Sequence, residues 1–371
     1  MFSVQHDVLD NFLTLVNISS ESGEEYDIIE YLVKRLKLYT RDVKVDSNGK
    51  YPKGLGNVIA RIPGNKKYTP IIFCAHMDTV RPGKGISPQI LNNIIKSDGK
   101  TILGADDKAG IASILTLLKI IHKDKLDCCP IEIIFTFSEE NGLLGSRSLN
   151  FNELKSKIGF ILDSDGEVGG AVIKAPSYLY FNISVKGKSA HSGMDAKNGI
   201  NAIKIAADAI SKIPTGAIGA DTTINIGKIK GGSAINIVPD NAVIEYEIRS
   251  YSDKNLKKYK ELIQKAFKDS ALKYKGDVSI LVEEQFLKYD FQSNAKTLEI
   301  FKSACKQSNI TPRLLNSFGG SDANIFNANG IETLNISIGY SKPHTTDEAI
   351  TLSALKNLLD VIYAIVKVCS K

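Results

Sequence analysis

Short, almost unbroken apolar runs alternate with longer amphipathic ones along the chain. The runs at 70–75 (Pro-Ile-Ile-Phe-Cys-Ala), 131–137 (Ile-Glu-Ile-Ile-Phe-Thr-Phe), 159–162 and 333–338 predict strands buried on both faces, with a further strand over 57–62. Between and around them, apolar positions at helical spacing predict helices over 7–16, 24–39, 109–121, 295–307 and 351–368. The segment Ser19-Ser20-Glu21-Ser22-Gly23-Glu24-Glu25 reads as a helix N-terminus with capping hydroxyls and early acids. A polar stretch with a hairpin around Ser97-Asp98-Gly99 precedes the helix at 109–121.

After Ala175-Pro176 the period changes. Residues 178–186 (Tyr-Leu-Tyr-Phe-Asn-Ile-Ser-Val-Lys) alternate like a strand with one open face, followed by a helix at 201–213, strands at 222–229 and 241–250, a helix at 255–274 and a strand at 278–283. The order β-α-β-β-α-β is that of the ferredoxin-like unit. From about 289 the first pattern resumes. The expected fold class is therefore α/β, a mixed, mainly parallel sheet flanked by helices and built from 1–176 and 289–371, with a ferredoxin-like α+β domain inserted at 177–288.

Polar residues with chemistry fall where these strands end. His76-Met77-Asp78 follows the 70–75 run, Ser138-Glu139-Glu140 follows 131–137, Asp163 follows 159–162, and His344 lies shortly after 333–338. Asp106 stands in Gly-Ala-Asp-Asp-Lys-Ala-Gly (104–110) at the mouth of a helix. Parallel sheets present their sites at the carboxyl ends of the strands, so these residues are expected along one edge.

Bulk composition narrows the field. A length of 371 residues with 43% hydrophobic content supports a full core and favours two domains. The net charge of +6 comes from Lys and Arg scattered among acids rather than gathered in a stripe, which argues against nucleic-acid binding. The amino-terminal residues do not resemble a secretory signal, and no stretch approaches an uncharged transmembrane span. Five cysteines (Cys74, Cys128, Cys129, Cys305, Cys369), odd in number and without C-x-x-C spacing, suit reduced thiols in a cytoplasm.

The imidazoles and carboxylates match zinc, which binds both at roughly 2.0–2.2 Å and keeps a position open when catalytic. Two ions roughly 3.5–4 Å apart need a shared carboxylate, for which Asp106 is placed. His76 and Asp163 then complete one site, Glu140 and His344 the other. Asp78 is placed to take the other N–H of the His76 imidazole, and Glu139 to remove a proton from a bridging water and pass it to a leaving amine. Each acid alone reads more readily as a helix cap or a solvated loop residue. Their joint placement is what points to a metal centre.

At Ala-His-Met-Asp-Thr, Gly-Ala-Asp-Asp-Lys-Ala-Gly and Glu-Glu-Asn-Gly the chain resembles the dinuclear-zinc exopeptidase and amidohydrolase family that includes peptidase T, carboxypeptidase G, aminoacylase and succinyl-diaminopimelate desuccinylase. The resemblance spans nearly the whole length. It implies two Zn2+ per subunit (Mn2+ or Co2+ as alternatives), the same ligand set, hydrolysis of a short peptide substrate, and a homodimer formed through the inserted lid domain. It also implies substrate contacts for His191 in Gly-Lys-Ser-Ala-His-Ser-Gly, for Asn236 and Arg249, and for Gly320 and Ser321 in Gly-Gly-Ser-Asp. The Gly-Ala-Asp-Asp-Lys-Ala-Gly segment and the aspartate at 163 are similar to the peptidase T branch, whereas Ser-Gly after His191 departs from the family's Pro-Gly. A deacylase or other amidohydrolase, a carboxypeptidase or dipeptidase of the same family, and a metal-bound peptide-binding protein are the alternative expectations.

Overall fold

The computed structural model describes residues 2–47, 49 and 51–371; residues 1, 48 and 50 of the expected 1–176 segment lie outside the described residues. The chain forms two compact units, one of Met1–Ile173, Asp290–Asn316 and Ser321–Lys371, the other of Lys174–Tyr289 with Ser317–Gly320.

In the first unit, α1 (Phe2–Val16) and α2 (Tyr26–Leu36) precede the strands β1 (Val43–Asp46), β2 (Asn57–Ile62) and β3 (Ile71–His76). The short hairpin β4 (Gln89–Leu91) and β5 (Ile94–Lys96) leads to α3 (Ala105–Asp124), β6 (Ile131–Thr136), α4 (Leu144–Ser148), β7 (Ile158–Ser164) and β8 (Gly170–Ala175). The main sheet runs β1-β2-β6-β3-β7, continuing through a strand supplied by the chain's return. In its middle β3 is parallel to both β6 and β7. The β3 and β6 positions are all buried, as a strand covered on both faces requires. Phe73, Phe135, Phe137, Phe160 and Leu162 form the core, each of them fully buried and so contributing about 1.5–3 kcal/mol.

The second unit comprises β9 (Ser177–Lys186), α5 (Ala202–Ile210), the short β10 (Gly216–Ile218), β11 (Thr222–Gly231), β12 (Asn241–Ser250), α6 (Asp253–Lys273) and β13 (Asp277–Phe286). Its sheet order is β10-β11-β12-β9-β13, with antiparallel pairing at every junction. Without the short β10, this is the ferredoxin-like arrangement predicted from the alternation of strand and helix. Phe181, Ile183, Val185, Ile263 and Phe267 make a separate buried core with α5 and α6.

The return to the first unit brings β14 (Tyr289–Asp290), α7 (Lys296–Gln307), β15 (Arg313–Asn316), α8 (Asp322–Ala328), β16 (Glu332–Ser337), β17 (Tyr340–Ser341), β18 (Ala349–Thr351) and α9 (Leu352–Cys369). β16 lies parallel to β7, so β6, β3, β7 and β16 all end on one edge.

Three expectations are corrected. The hairpin turns at Asn92-Asn93, not around Ser97-Asp98-Gly99: Leu91 pairs with Ile94, and both asparagines take positive φ (49° and 69°), the left-handed pair that matches strand twist. Residues 317–320, expected with the segment 289–371, pack with the second unit. There Tyr251 donates to the Ser317 carbonyl (2.8 Å), the Phe318 and Tyr251 rings lie 4.6 Å apart, and a Cβ on Gly320 would come within 2.1 Å of Phe286. The third concerns residues 19–25: α2 begins after Glu25, which makes no side-chain cap, and the polar groups of that turn are used elsewhere.

Candidate dinuclear metal centre

The site is assembled entirely within the first unit, at the carboxyl ends of its parallel strands. His76 is the last residue of β3 and is buried. Its Nδ1 donates to the Asp78 carbonyl at 2.9 Å, which leaves Nε2 facing Asp106 Oδ1 at 2.9 Å and Asp163 Oδ1 at 3.4 Å. His344, half-exposed, places its Nε2 2.7 Å from Glu140 Oε1 and 3.4 Å from Asp106 Oδ2. The two oxygens of Asp106 therefore face different histidines, each accompanied by its own further carboxylate. Ligand atoms of His76, Asp106 and Glu140 lie within 4.8 Å of one another, as do those of His76, Asp107 and Asp163.

Local structure fixes each of these. Asp106 and Asp107 open α3 with non-helical backbone, joined by a cis peptide. Asp107 accepts from the His76 N–H (3.0 Å) and the Gly110 N–H (3.2 Å), so its carboxylate ties the His76 strand to the Asp106 loop. Gly110 is required where it stands, because a Cβ there would lie 2.4 Å from Asp107 Oδ1 and 2.8 Å from the Leu162 carbonyl. Asp163 is held through its N–H, which donates to Asn335 Oδ1 (3.2 Å), and through its carbonyl, which accepts from the Tyr340 hydroxyl (3.1 Å).

Asp78 acts differently from the expectation. The nearer acceptor for the His76 N–H is its carbonyl; its carboxylate, 3.4 Å from Nδ1, accepts from the Glu139 N–H (2.9 Å), the Glu140 N–H (3.2 Å) and the Ser22 hydroxyl (2.7 Å). It orients the Glu139-Glu140 backbone at least as much as the imidazole.

The charges of this cluster call for cations. Burial pushes the Glu139 carboxyl well above its ordinary range, with the Asp163 charge adding to the effect, and burial lifts Asp163 to about 7. Hydrogen bonds to Asp106 and then Glu140 raise His344 to about 10. Burial opposes a charge on His76, yet its bonds to Asp106, Asp163 and Asp78 carry it well above the usual imidazole value. In the metal-free cluster protons thus hold the carboxylates together. Two cations fit the same positions through imidazole nitrogens and carboxylate oxygens, a donor set that suits zinc, manganese or cobalt. Since they must displace those protons, loading strengthens as pH rises.

Sequence reading missed Glu348, which no periodic pattern marks. Its carboxylate, lifted to about 7 by burial, accepts from the N–H groups of Leu103 (2.8 Å), Gly104 (2.7 Å) and Asp106 (2.9 Å), holding the Asp106 loop from a position 242 residues away. Glu348→Ala orphans these three buried donors, each worth about 1–3 kcal/mol. Urea unfolding of the metal-free variant is expected to show a loss of at least about 3 kcal/mol; an unchanged midpoint and slope would contradict this role. Asp322, the last residue of the Gly-Gly-Ser-Asp segment, opens α8. It is buried and accepts from the Thr136 hydroxyl at 2.6 Å.

The remaining predicted residues divide between the units. Ser321, in the first, is the N-cap of α8 within a capping box completed by Asn324. In the second, His191 is exposed and its Nδ1 accepts from the N–H groups of Gly193 (3.1 Å) and Met194 (3.2 Å), leaving the ring proton on Nε2. The Asn236 carbonyl accepts from the Ser192 N–H (3.0 Å), linking the two loops. Arg249 stacks on Tyr178 (4.7 Å) and donates to the Phe318 carbonyl (3.1 Å) and to Glu247 (3.3 Å).

Known proteins match this arrangement over its whole length. Residues 174–275 match the peptidase dimerisation domain (M20_dimer), and residues 57–209 match peptidase family M28. The crystal structure of aminopeptidase PepT from Bacillus cereus ATCC 10987 superposes with a TM-score of 0.90 at 36% identity, covering 99% of both chains. The chain belongs to the M20 metallopeptidase family, on its peptidase T-like branch. A tripeptidase of Staphylococcus aureus subsp. aureus Mu50 aligns with a TM-score of 0.93 at 34% identity, over 99% of this chain and 98% of that one. Peptidase T of Aliivibrio fischeri is 25% identical, with 97% of each chain covered. As an M20 peptidase T-like protein, the chain is a metallo-exopeptidase, a hydrolase of peptide bonds, and its second unit is the family's dimerisation domain.

Proposed function

We propose that this peptidase is a dizinc aminopeptidase of tripeptides and other short peptides, active in the cytoplasm as a homodimer. The observation that carries the reading is the division of Asp106, one oxygen toward His76 and the other toward His344. His76 and Asp163 would hold one ion and Glu140 and His344 the second, with Asp106 placed between the two pairs. When bound, the ions supply Lewis acidity toward the scissile carbonyl and the shared water.

The chain's own groups do the rest. Glu139, buried beside ligand Glu140, takes the proton of the attacking water and returns it to the leaving amine. Asp78 holds the backbone of both glutamates in place. His191 offers its Nε2 proton to the developing oxyanion, the tautomer that its Nδ1 contacts favour. Asn236, Arg249, Gly320 and Ser321 contribute substrate contacts, the Arg249 guanidinium pairing with a peptide carboxylate. The match of 174–275 to a peptidase dimerisation domain supports a dimer formed through this unit. Free, buried cysteines support a reducing compartment. Among the described residues no helix is long and apolar enough to cross a membrane.

A substrate panel combined with metal analysis tests the reading. Tripeptides with a free α-amine are expected to be hydrolysed at their amino-terminal bond, faster than dipeptides, with two zinc ions per subunit. Blocking the amine is expected to abolish turnover. Cleavage of acylated amino acids in preference to peptides would assign the chain to the family's amide hydrolases instead.

A further inference from the structure

Outside the metal ligands lies a polar turn that the proposed mechanism leaves unused. Residues 19–25 join α1 to α2, and the groups that should have capped α2 reach instead into the active centre. The Ser22 hydroxyl donates to Asp78 Oδ2 at 2.7 Å. Glu25, fully buried, accepts on one oxygen both the Ser138 N–H (2.9 Å) and the Ser138 hydroxyl (2.8 Å), while Ser138 Oγ in turn accepts from the Gly23 N–H (3.1 Å). The turn is itself anchored on the β3 side: the Ser22 N–H donates to the Thr79 carbonyl (3.2 Å), the Thr79 N–H to the Ser20 carbonyl (2.9 Å), and the Gly83 N–H to Glu21 (2.9 Å).

Ser138 is the residue immediately before Glu139, and it takes φ 48°, a left-handed conformation that a side chain rarely adopts without being held there. Its position decides where the next residue's side chain points. Three hydrogen bonds, made by the Ser138 N–H and hydroxyl, tie it to the Gly23–Glu25 turn, so Ser138 cannot rotate unless that turn moves with it. The Glu139 N–H on Asp78 fixes the far side of the same residue, and Asp78 is also tied to the turn through Ser22.

We infer that Glu25 is a positioning residue which, by gripping Ser138 in its left-handed conformation, aims the Glu139 carboxylate at the attacking water. This rests on Glu139 being the proton-transfer group. Glu25 touches neither substrate nor metal; its effect passes through the backbone of residues 138–139. Proton transfer requires heavy-atom distances of about 2.6–3.2 Å, and a displacement of about 1 Å lowers rates by about 100-fold.

The test uses full-length, metal-loaded protein with a tripeptide substrate. Glu25→Ala is expected to lower kcat about 10-fold to 100-fold, with KM and metal content unchanged. Glu25→Gln keeps an acceptor oxygen for Ser138 and is expected to recover most of the loss. Ser138→Ala, which removes the hydroxyl and keeps the N–H, is expected to fall between them, and these two variants decide the matter should Glu25→Ala not fold. Combining Glu25→Ala or Ser138→Ala with Glu139→Gln supplies the sharper measurement. A residue acting through Glu139 adds nothing further once the carboxylate is gone, so the double variant should turn over as slowly as Glu139→Gln alone. Independent, multiplying losses would overturn the inference, as would a Glu25→Gln variant no better than Glu25→Ala. A fully active Glu139→Gln single variant would instead remove the proposed role of Glu139 itself, an outcome distinct from either.

Discussion

Glu139→Gln is expected to keep its full complement of metal and lose turnover by about 10²–10⁴, the range that general acid–base groups supply. The amide has the same size and fits the same buried position at the end of β6, next to a backbone held by Asp78. What it lacks is a lone pair basic enough to take a proton from water. The loss equals about 3–5 kcal/mol in the barrier, and because the group acts on the reacting water rather than on the peptide at rest, it should fall on kcat and leave KM nearly unchanged. Steady-state kinetics on a tripeptide beside metal analysis of the same preparation checks both halves. Parental turnover with intact metal content would mean that another group moves the proton.

Asp106→Asn is expected to fail in the opposite way, through the metals. Among the described residues, Asp106 is the one carboxylate with an oxygen toward each of the two cluster histidines, at 2.9 Å from His76 Nε2 and 3.4 Å from His344 Nε2. An amide offers one neutral oxygen and turns an N–H toward the other position. Partners that merely orient ligands are worth about 10–100-fold in metal affinity, so loss of a shared ligand should weaken binding by more than about 100-fold and take activity with it. The loop should survive, since Glu348 holds the Asp106 N–H and Asp107 holds the His76 N–H independently of this side chain. Dialysis against a weak chelator followed by metal counting separates the two variants: Glu139→Gln retains its ions and Asp106→Asn does not. A doubly loaded Asp106→Asn variant would show that the bridge lies elsewhere.

The parts legible beforehand share one property: their cause is local. Strands such as Ile71–His76 and Ile131–Thr136 are apolar at nearly every position because they are covered on both faces, and any window across them shows it. The ferredoxin-like order of the second unit followed from the alternation in 178–186 and 241–250. The gathering of His76, Asp106, Glu140, Asp163 and His344 was legible for a related reason, since the topology of a parallel sheet sends strand ends to one edge, and polar residues capable of metal chemistry at several such ends stand out.

What escaped notice depends on partners far away in sequence. Glu348 looks like one more acid in a polar loop, and only the fold puts three N–H groups of residues 103–106 around it. Residues 19–25 carry every mark of a helix cap, yet in the fold Glu25 finds Ser138 and Ser22 finds Asp78, 113 and 56 residues away. Hydroxyls and carboxylates satisfy buried donors wherever the chain brings them, so local propensity does not reveal which donor each will meet. The four residues 317–320 were misplaced for the same reason: their contacts with Tyr251, Arg249 and Phe286 are made by folding, not by adjacency.

Taken alone, the order of amino acids determined the main strands and helices, the ferredoxin-like order of the insert, the family and the residue types available for a pair of cations. Tertiary structure decided how those residues are aimed: Asp106 with one oxygen to each histidine, Asp78 on the glutamate backbone more than on the imidazole, Glu348 under the Asp106 loop, and Glu25 behind Ser138. The physical reason is that periodicity records which face of an element is dry, a property each residue carries with its neighbours. The direction of a buried side chain instead depends on hydrogen-bond partners that only the folded chain assembles.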